Sequence, residues 1–382
     1  MNIDTGKIAQ YTINAIAGKT LKTLNIIVVG KTGVGKSTLI NAIFRENLAE
    51  NLAETGIVKP ITDHIRKISK KNIPLTIYDT RGFEMGKEVQ KQVKDEVVDT
   101  INKGLATQDI NKTIHCIWYC INAASNRVEQ EEIEWIKELS CDNQITQVPI
   151  IIVLTQSFSK KNAQALRKML LDEKLDVVQI VPVLAQDYEL GDDYVIKSYG
   201  LDMLIPIMSA VLPNELIDTL QNVQIASLDQ KKRHAQKVVA TTTLAATGVG
   251  AAPIPFSDCV ALVPVQLSMI ATITVIFGFD INKSILTAFL SSTIGAGGAT
   301  VLGKTIVTNL IKFIPGAGTV LGGAISAGTA GVITAALGEA YIRIMELIFK
   351  GEMSIDDLST KKGKEEMATL FKNELKKKRD NI

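Results

Sequence analysis

Residues 24–44 read LNIIVVGKTGVGKSTLINAIF: an apolar run, a glycine-rich turn, then a stretch of helical pattern. The turn, Gly30–Ser37, fits G-x-x-x-x-G-K-[ST], and its flanks are a strand before it and a helix after it, the context that the phosphate-cradling mechanism requires. Glycines at Gly30, Gly33 and Gly35 let the backbone curl so that the N–H groups of Lys31, Thr32, Val34 and their neighbours through Thr38 converge on phosphate oxygens. The helix adds its positive N-terminal end. Lys36 is expected on the β- and γ-phosphates, with the Ser37 hydroxyl on Mg²⁺.

A second element follows the run IPLTIY: DTRG, Asp79–Gly82. A carboxylate at the end of an adjacent strand holds a water of Mg²⁺, and the Gly82 N–H reaches a γ-phosphate. Between the two elements, the polar stretch Glu46–Thr62 is long enough for a mobile switch. Thr62 in VKPITDHI is chosen as the threonine that closes on the metal, with Thr55 as its rival. The expected sets are thus Lys36, Thr62 and Gly82 for catalysis and Ser37, Thr62 and Asp79 for the metal.

Outward from this centre, apolar runs predict strands at Leu24–Val29, His64–Ile68, Ile73–Tyr78, Thr113–Ile121, Pro149–Leu154 and Val177–Leu184. Helical patterns fall between them. Lys87–Leu105 places Val89, Val93, Val97, Ile101 and Leu105 four residues apart on one drifting face; Asn162–Leu171 and Leu201–Leu212 are further helices. Alternation of this kind predicts an α/β domain with a mostly parallel sheet covered by helices on both faces. An all-α, Gly/Ala-rich domain follows it. The expected organisation is an N-terminal helix at 1–23, a nucleotide-binding domain at 24–213, a helical linker at 214–237, a hydrophobic helical domain at 238–349 and a basic tail at 350–382.

The run GKTGVGKSTLIN, Gly30–Asn41, resembles the phosphate loop GxTGxGKSxxIN of the Era-like and immunity-related (interferon-inducible) GTPases. The resemblance covers about the first half of the chain and implies a GTP-binding domain that hydrolyses GTP with Mg²⁺. In that family [NT]-K-x-D reads guanine; here the place holds Thr155, Gln156, Ser157 and Phe158, without the lysine or the aspartate. A carboxylate taking two hydrogen bonds from guanine is what rejects adenine, so guanine and adenine both stay open from the residues. Val183–Gln186, VLAQ, resembles the family's SAK element, with Ala185 offering its N–H to the base. Phe83 stands where a Ras-like enzyme carries a water-positioning glutamine, so hydrolysis is expected to be slow and to quicken when two such domains, or a partner, meet. Arg81 is a candidate charge donor in that pairing.

At 382 residues, 46% hydrophobic and 21% charged, the chain is globular with room for two domains. A net charge of +2 gives no global drive towards nucleic acid, which weighs against a ribosome- or RNA-associated assembly GTPase. Cys116, Cys120, Cys141 and Cys259 form no C-x-x-C pair, and His64, His115 and His234 lie far apart, so a zinc site is not expected. Packed thiols in a reducing cytoplasm are expected instead.

From Val238 the composition changes. Four uncharged runs appear, Val238–Ser257, Cys259–Phe279, Ser284–Gly303 and Phe313–Gly338. About twenty apolar residues in a helix match a bilayer core, and small residues at Gly318, Gly322, Ala324 and Gly328 permit close helix contact in a membrane. Two readings stay open: a membrane-associated domain in contact with lipid, or a helical core broken at PIPFSD, Pro253–Asp258, at Pro264 and at Pro315. This half resembles the helical module of bacterial YcjF-like GTPases, which implies membrane association. The basic run Lys231–His234 is expected on a solvated helix face, and Lys376–Arg379, beside Leu370, Phe371 and Leu375, leaves two readings open: contact with anionic headgroups, or a frayed and solvated tail. The leading reading is a nucleotide-driven switch coupled to that domain. A structural or pore-like membrane protein with little hydrolysis, and an ATPase, are the alternatives.

Overall fold

The computed structural model describes residues 21–44, 56–80, 87–143, 147–190, 194–250, 258–279 and 327–380. These form two compact units, Leu21–Ser227 and a second from Leu228 onward.

In the first unit, every residue of strand β1, Leu24–Val29, is buried. Its alternate side chains enter two different cores: Ile26 and Val28 pack on one face of the sheet, Ile27 and Val29 on the other. That two-sided burial is why the run is continuously apolar. Helix α1, Lys36–Ile43, lays Leu39, Ile40 and Ile43 on the first face. It stops at Phe44, whose extended backbone turns the ring onto Trp118, stacked at 5.6 Å. Then come β2, Gly56–Pro60, β3, Ile65–Lys70, and β4, Leu75–Thr80; α2, Lys87–Ala106; β5, Cys116–Asn122; α3, Gln130–Asn143; β6, Ile150–Thr155; α4, Lys160–Asp172; and β7, Gln179–Pro182. A two-stranded hairpin, β8, Tyr188–Glu189, with β9, Val195–Ile196, precedes helices α5, Leu201–Val211, and α6, Ile217–Val223.

The sheet runs β2-β3-β4-β1-β5-β6-β7. β1 is parallel to β4 and β5, and β5, β6 and β7 continue in parallel. β2 and β3 are antiparallel. The strand order reverses at β1, between β4 and β5, and the crevice beyond the carboxyl ends of strands at such a point is where open α/β sheets take ligands. The β8–β9 hairpin lies in an interval where the sequence predicts no element, and two further elements depart from the sequence reading. Part of the expected switch stretch 46–62 is the edge strand β2; residues 45–55, with Thr55, lie outside the described residues. Helix α3, with Ile133, Trp135, Ile136 and Leu139 buried, fills an interval that no predicted element covers. On α2 the four-residue step behaves as its geometry demands. Each step overshoots a full turn by about 40°, so Val93, Val97 and Ile101 are buried and Leu105 has drifted into solvent.

The segment 214–237, expected as one connecting helix, is divided. Leu216, Leu220 and Val223 pack into the core of the first unit, and Ile225 N donates to Ile43 O at 2.7 Å. Leu228 then opens helix α7, Leu228–Gly250, of the second unit. The expected N-terminal helix at 1–23 lies almost wholly outside the described residues.

The second unit is helical: α7; α8, Asp258–Ile276; α9, Ala327–Phe349; and α10, Lys361–Asp380. Gly331 and Gly338 set the closeness of α9 to α7. A Cβ at Gly338 would stand 2.5 Å from a Val239 methyl, and one at Gly331 would stand 2.8 Å from the Thr247 methyl. Tyr341 and Thr274 share a buried hydroxyl–hydroxyl bond of 2.7 Å between α9 and α8. Lys231, expected on a solvated face, is instead fully buried. Its ammonium donates to Ile276 O at 2.8 Å, at the carboxyl end of α8, where unpaired carbonyls and the helix dipole favour a cation. Phe371 and Leu375 on α10, expected near lipid, are buried in this core together with Met367. Apolar side chains committed to a protein core are not available to a bilayer. Among the described residues no helix is long and apolar enough to cross a membrane; the runs at 284–303 and 313–326 lie outside them.

Candidate nucleotide site

The phosphate loop leaves β1 and enters α1 with the backbone its glycines allow. Gly35, at the N-terminal cap of α1, has φ 90° and ψ 23°, a left-handed conformation that a side chain disfavours. At Gly30 the reason is space: a Cβ there would come within 2.5 Å of the Cys120 carbonyl oxygen on β5. Val34 is buried beneath the loop, Lys36 is nearly so, and Thr32, Gly33 and Ser37 are exposed.

The Lys36 ammonium bridges the loop, donating to Gly30 O at 2.7 Å and Lys31 O at 3.1 Å. Burial lowers its pKa, while the Asp79 carboxylate acts in the opposite sense. The Lys31 side chain leaves the loop altogether. Its ammonium meets Glu129 at 2.7 Å and Glu132 at 3.1 Å. Burial acts to lower its pKa, but the hydrogen bonds and charges of these two glutamates win and hold it raised. Its ammonium is therefore committed to these glutamates and directed away from the loop.

Asp79 ends β4 beside the loop, with Val28 opposite it on β1 and Arg66 opposite it on β3. Arg66 Nε and Nη2 both reach Asp79 Oδ2, at 2.8 and 2.6 Å. Oδ1 is buried without a hydrogen-bond partner. A buried, unpartnered carboxylate oxygen is costly unless something completes its shell. A hydrated divalent cation does so, and the oxygen-rich donor set of Asp79 and the Ser37 hydroxyl suits Mg²⁺.

Thr62 stands elsewhere in the hydrogen-bond pattern than expected. Its hydroxyl donates to Glu96 of α2, and it accepts from Ile65 N at 3.0 Å. His64 Nδ1 lies 2.9 Å from the other Glu96 oxygen, and His64 N donates to Glu96 at 3.2 Å. Burial opposes ionisation of Glu96, but these hydrogen bonds prevail and lower its pKa. Gly82, with Arg81 and Phe83, lies outside the described residues.

On the other side of the loop, the Thr155 hydroxyl donates to Val34 O at 2.5 Å, with Ile121 O also 3.0 Å away. Gln156 has left-handed backbone, φ 51°, and its amide nitrogen donates to Gly33 O at 2.8 Å. Both residues thus brace the loop from the end of β6. Ser157 is buried, its N–H on Val183 O and its hydroxyl on Leu154 O. The Phe158 ring packs on Tyr188 at 4.4 Å. Ala185 is half-buried against the core.

The septin family model matches residues 21–225, more than half of the chain. The chain belongs to the septin family. Its first unit is a septin-type P-loop G domain, the GTP-binding kind. Residues 215–380 match a domain of unknown function, DUF697. The neuronal-specific septin-3 of Danio rerio is 26% identical over 184 residues, which is 41% of this chain and 50% of that protein. Cell division control protein 10 of Candida albicans is 29% identical over 168 residues, 39% of this chain and 46% of that one. The chain spans about half the length of these curated relatives. The crystal structure of Cdc11 from Saccharomyces cerevisiae is 18% identical, with 52% of this chain and 95% of that one covered at a TM-score of 0.32. The family match sets the G domain among septins, and it gives the finer resemblance to Era-like, immunity-related and YcjF-like proteins no support.

Within this septin domain, four polar contributors escaped the sequence reading. Arg66 had one available signal, its place in a strand before DTRG; Glu96, and the pair Glu129–Glu132, had none, because they meet Thr62 and Lys31 only through the tertiary fold.

Proposed function

We propose that the protein is a GTP-hydrolysing switch in which the septin-type domain binds GTP and Mg²⁺ and the helical unit carries the output. The observation that carries the reading is the meeting of a phosphate loop, its lysine and a buried carboxylate with one open oxygen, Asp79 Oδ1, at the reversal of strand order. The main chain of Gly30–Thr38 and the Lys36 ammonium hold the triphosphate; Gly82 offers its N–H to the γ-phosphate. Ser37 and Asp79 would hold the metal, which would supply neutralisation of phosphate charge. Thr62 joins them only after leaving Glu96, and that exchange couples nucleotide to the β2–β3 turn and α2. Order changes in such segments are an established form of switching. The base extends on the side of the loop that Thr155 and Gln156 brace, towards Ala185.

Hydrolysis is slow in one domain, because no glutamine follows Gly82, and a second G domain accelerates it. Calorimetry of the full chain with GTP and Mg²⁺, beside Lys36→Ala, tests the site: binding by the wild type alone is expected, and heat-silent wild-type titrations refute it. Phosphate release per protein molecule that rises with protein concentration tests the pairing, and a constant rate per molecule refutes it. Membrane attachment, expected from the uncharged runs, is read by vesicle flotation with and without a non-hydrolysable GTP analogue. Equal partition in both removes that output.

A further inference from the structure

We infer that this G domain does not select guanine: it takes purine nucleoside triphosphates through the phosphate loop, and Phe158 stands where a base-reading carboxylate would have to be. The inference rests on the nucleotide site proposed above and names its substrate class more closely.

Selection of guanine over adenine requires an acceptor with two lone pairs in line with the ring N–H and the exocyclic amine. A site built on such bonds rejects an analogue that cannot make them by about 10⁴-fold. The segment that would supply the acceptor is fixed by the contacts of its first two residues. Thr155 and Gln156 grip the loop carbonyls of Val34 and Gly33, so the chain from 155 to 158 runs along the loop's flank. Ser157 turns inward and is buried, its hydroxyl used on Leu154 O. Phe158 follows and presents an aromatic ring, packed on Tyr188 of the β8–β9 hairpin, with no lone pairs to offer.

The next rim carboxylate, Asp187, does not replace it. One of its oxygens accepts from Lys197 Nζ at 2.8 Å and the other from Ser198 N at 2.8 Å. These bonds lower its pKa, and both oxygens already have donors. Among the described residues, this rim carries the half-buried Ala185, the stem of Gln156 and the Phe158–Tyr188 pair. Aromatic and apolar surface holds any purine by its face and is indifferent to the pattern on its edge.

The test is a set of competition titrations on the full chain with Mg²⁺, in which GTP, inosine triphosphate and ATP displace a fluorescent GTP analogue. All three are expected within about tenfold of one another, against the roughly 10⁴-fold that a reading carboxylate gives. A preference for GTP over ATP above about 100-fold overturns the inference. Phe158→Asp is expected to raise the GTP-to-ATP ratio at least tenfold, and an unchanged ratio in a folded variant overturns the assignment to position 158. If the analogue does not bind the wild-type chain, the nucleotide site itself is wrong, a result distinct from poor discrimination.

Discussion

Gly338→Ala sets two opposing effects of known size against each other. Alanine in a helix interior is worth about 1 kcal/mol over glycine. Against that, the new methyl would lie 2.5 and 2.8 Å from the two Val239 methyls and 3.0 Å from the Met269 sulfur. Val239 is β-branched and buried, so it has one good rotamer and cannot swing aside; α7 and α9 must part instead. Overpacking of this kind costs about 1–3 kcal/mol, and the methionine sulfur yields more easily than the valine. The net expectation is a loss of about 1 kcal/mol in the helical unit. Gly328, on the same helix, is the control. Nothing lies within 4 Å of a Cβ there, so Gly328→Ala keeps the propensity gain, reduced by its place in the first turn to about 0.5 kcal/mol. Amide hydrogen exchange read on peptides from α7 and α9 reports this unit without reference to the G domain. Exchange is expected about fivefold faster in Gly338→Ala and slower than wild type in Gly328→Ala. If both substitutions slow exchange alike, the close contact between α7 and α9 is not there.

Other expectations concern the first unit. Glu96→Ala releases the Thr62 hydroxyl and is expected to tighten binding of Mg²⁺–GTP severalfold in calorimetry; weaker binding would mean that Glu96 supports the site instead of withholding Thr62. Arg66→Ala strips the counter-charge from the buried Asp79 carboxylate and should cost about 2–3 kcal/mol of stability in urea unfolding, below the 3–5 of a fully buried pair because Arg66 is partly exposed. His115 is buried, accepting from Asn25 N, and burial pushes its pKa down to about 4 from 6.5. Being depressed in the fold, it contributes stability that is complete above pH 6.5 and is lost as pH falls towards 4, on the order of 3 kcal/mol at the limit. Acid unfolding of His115→Gln should show a flatter slope across that interval, and an unchanged slope refutes the assignment.

The chain shows which parts of a fold are written locally. The strand–loop–helix at 24–44 is legible because periodicity and glycine spacing both lie within one short window. β2 is not, since a five-residue edge strand with Lys59 and Pro60 looks like a polar loop until β3 pairs with it. Lys231 misleads for a related reason. A lysine beside Lys232, Arg233 and His234 reads as surface, and only the carbonyl end of α8, 45 residues away, explains its burial. In the site, Gly30, Gly35, Lys36 and Asp79 were readable from spacing, whereas the partners of Thr62 and Lys31 come from α2 and α3, and nothing in the sequence near either residue names them.

The two neighbours of β4 suggest how the site combines rigidity with a switch. Its parallel neighbour β1 delivers the phosphate loop two residues past the Val28–Asp79 pair, on the sheet's fully buried interior. Its antiparallel neighbour β3 places Arg66 directly across from Asp79, and the β2–β3 turn carries Thr62 to α2. The cradle and the carboxylate proposed to hold the metal therefore share the part of the sheet with the most burial, while the threonine proposed to change partners belongs to the arm nearest an edge. A strand pair at an edge has one side without sheet neighbours and opens at lower cost than a central one. In the switch proposed above, placing the contact there would let Thr62 trade Glu96 for the nucleotide without disturbing β1.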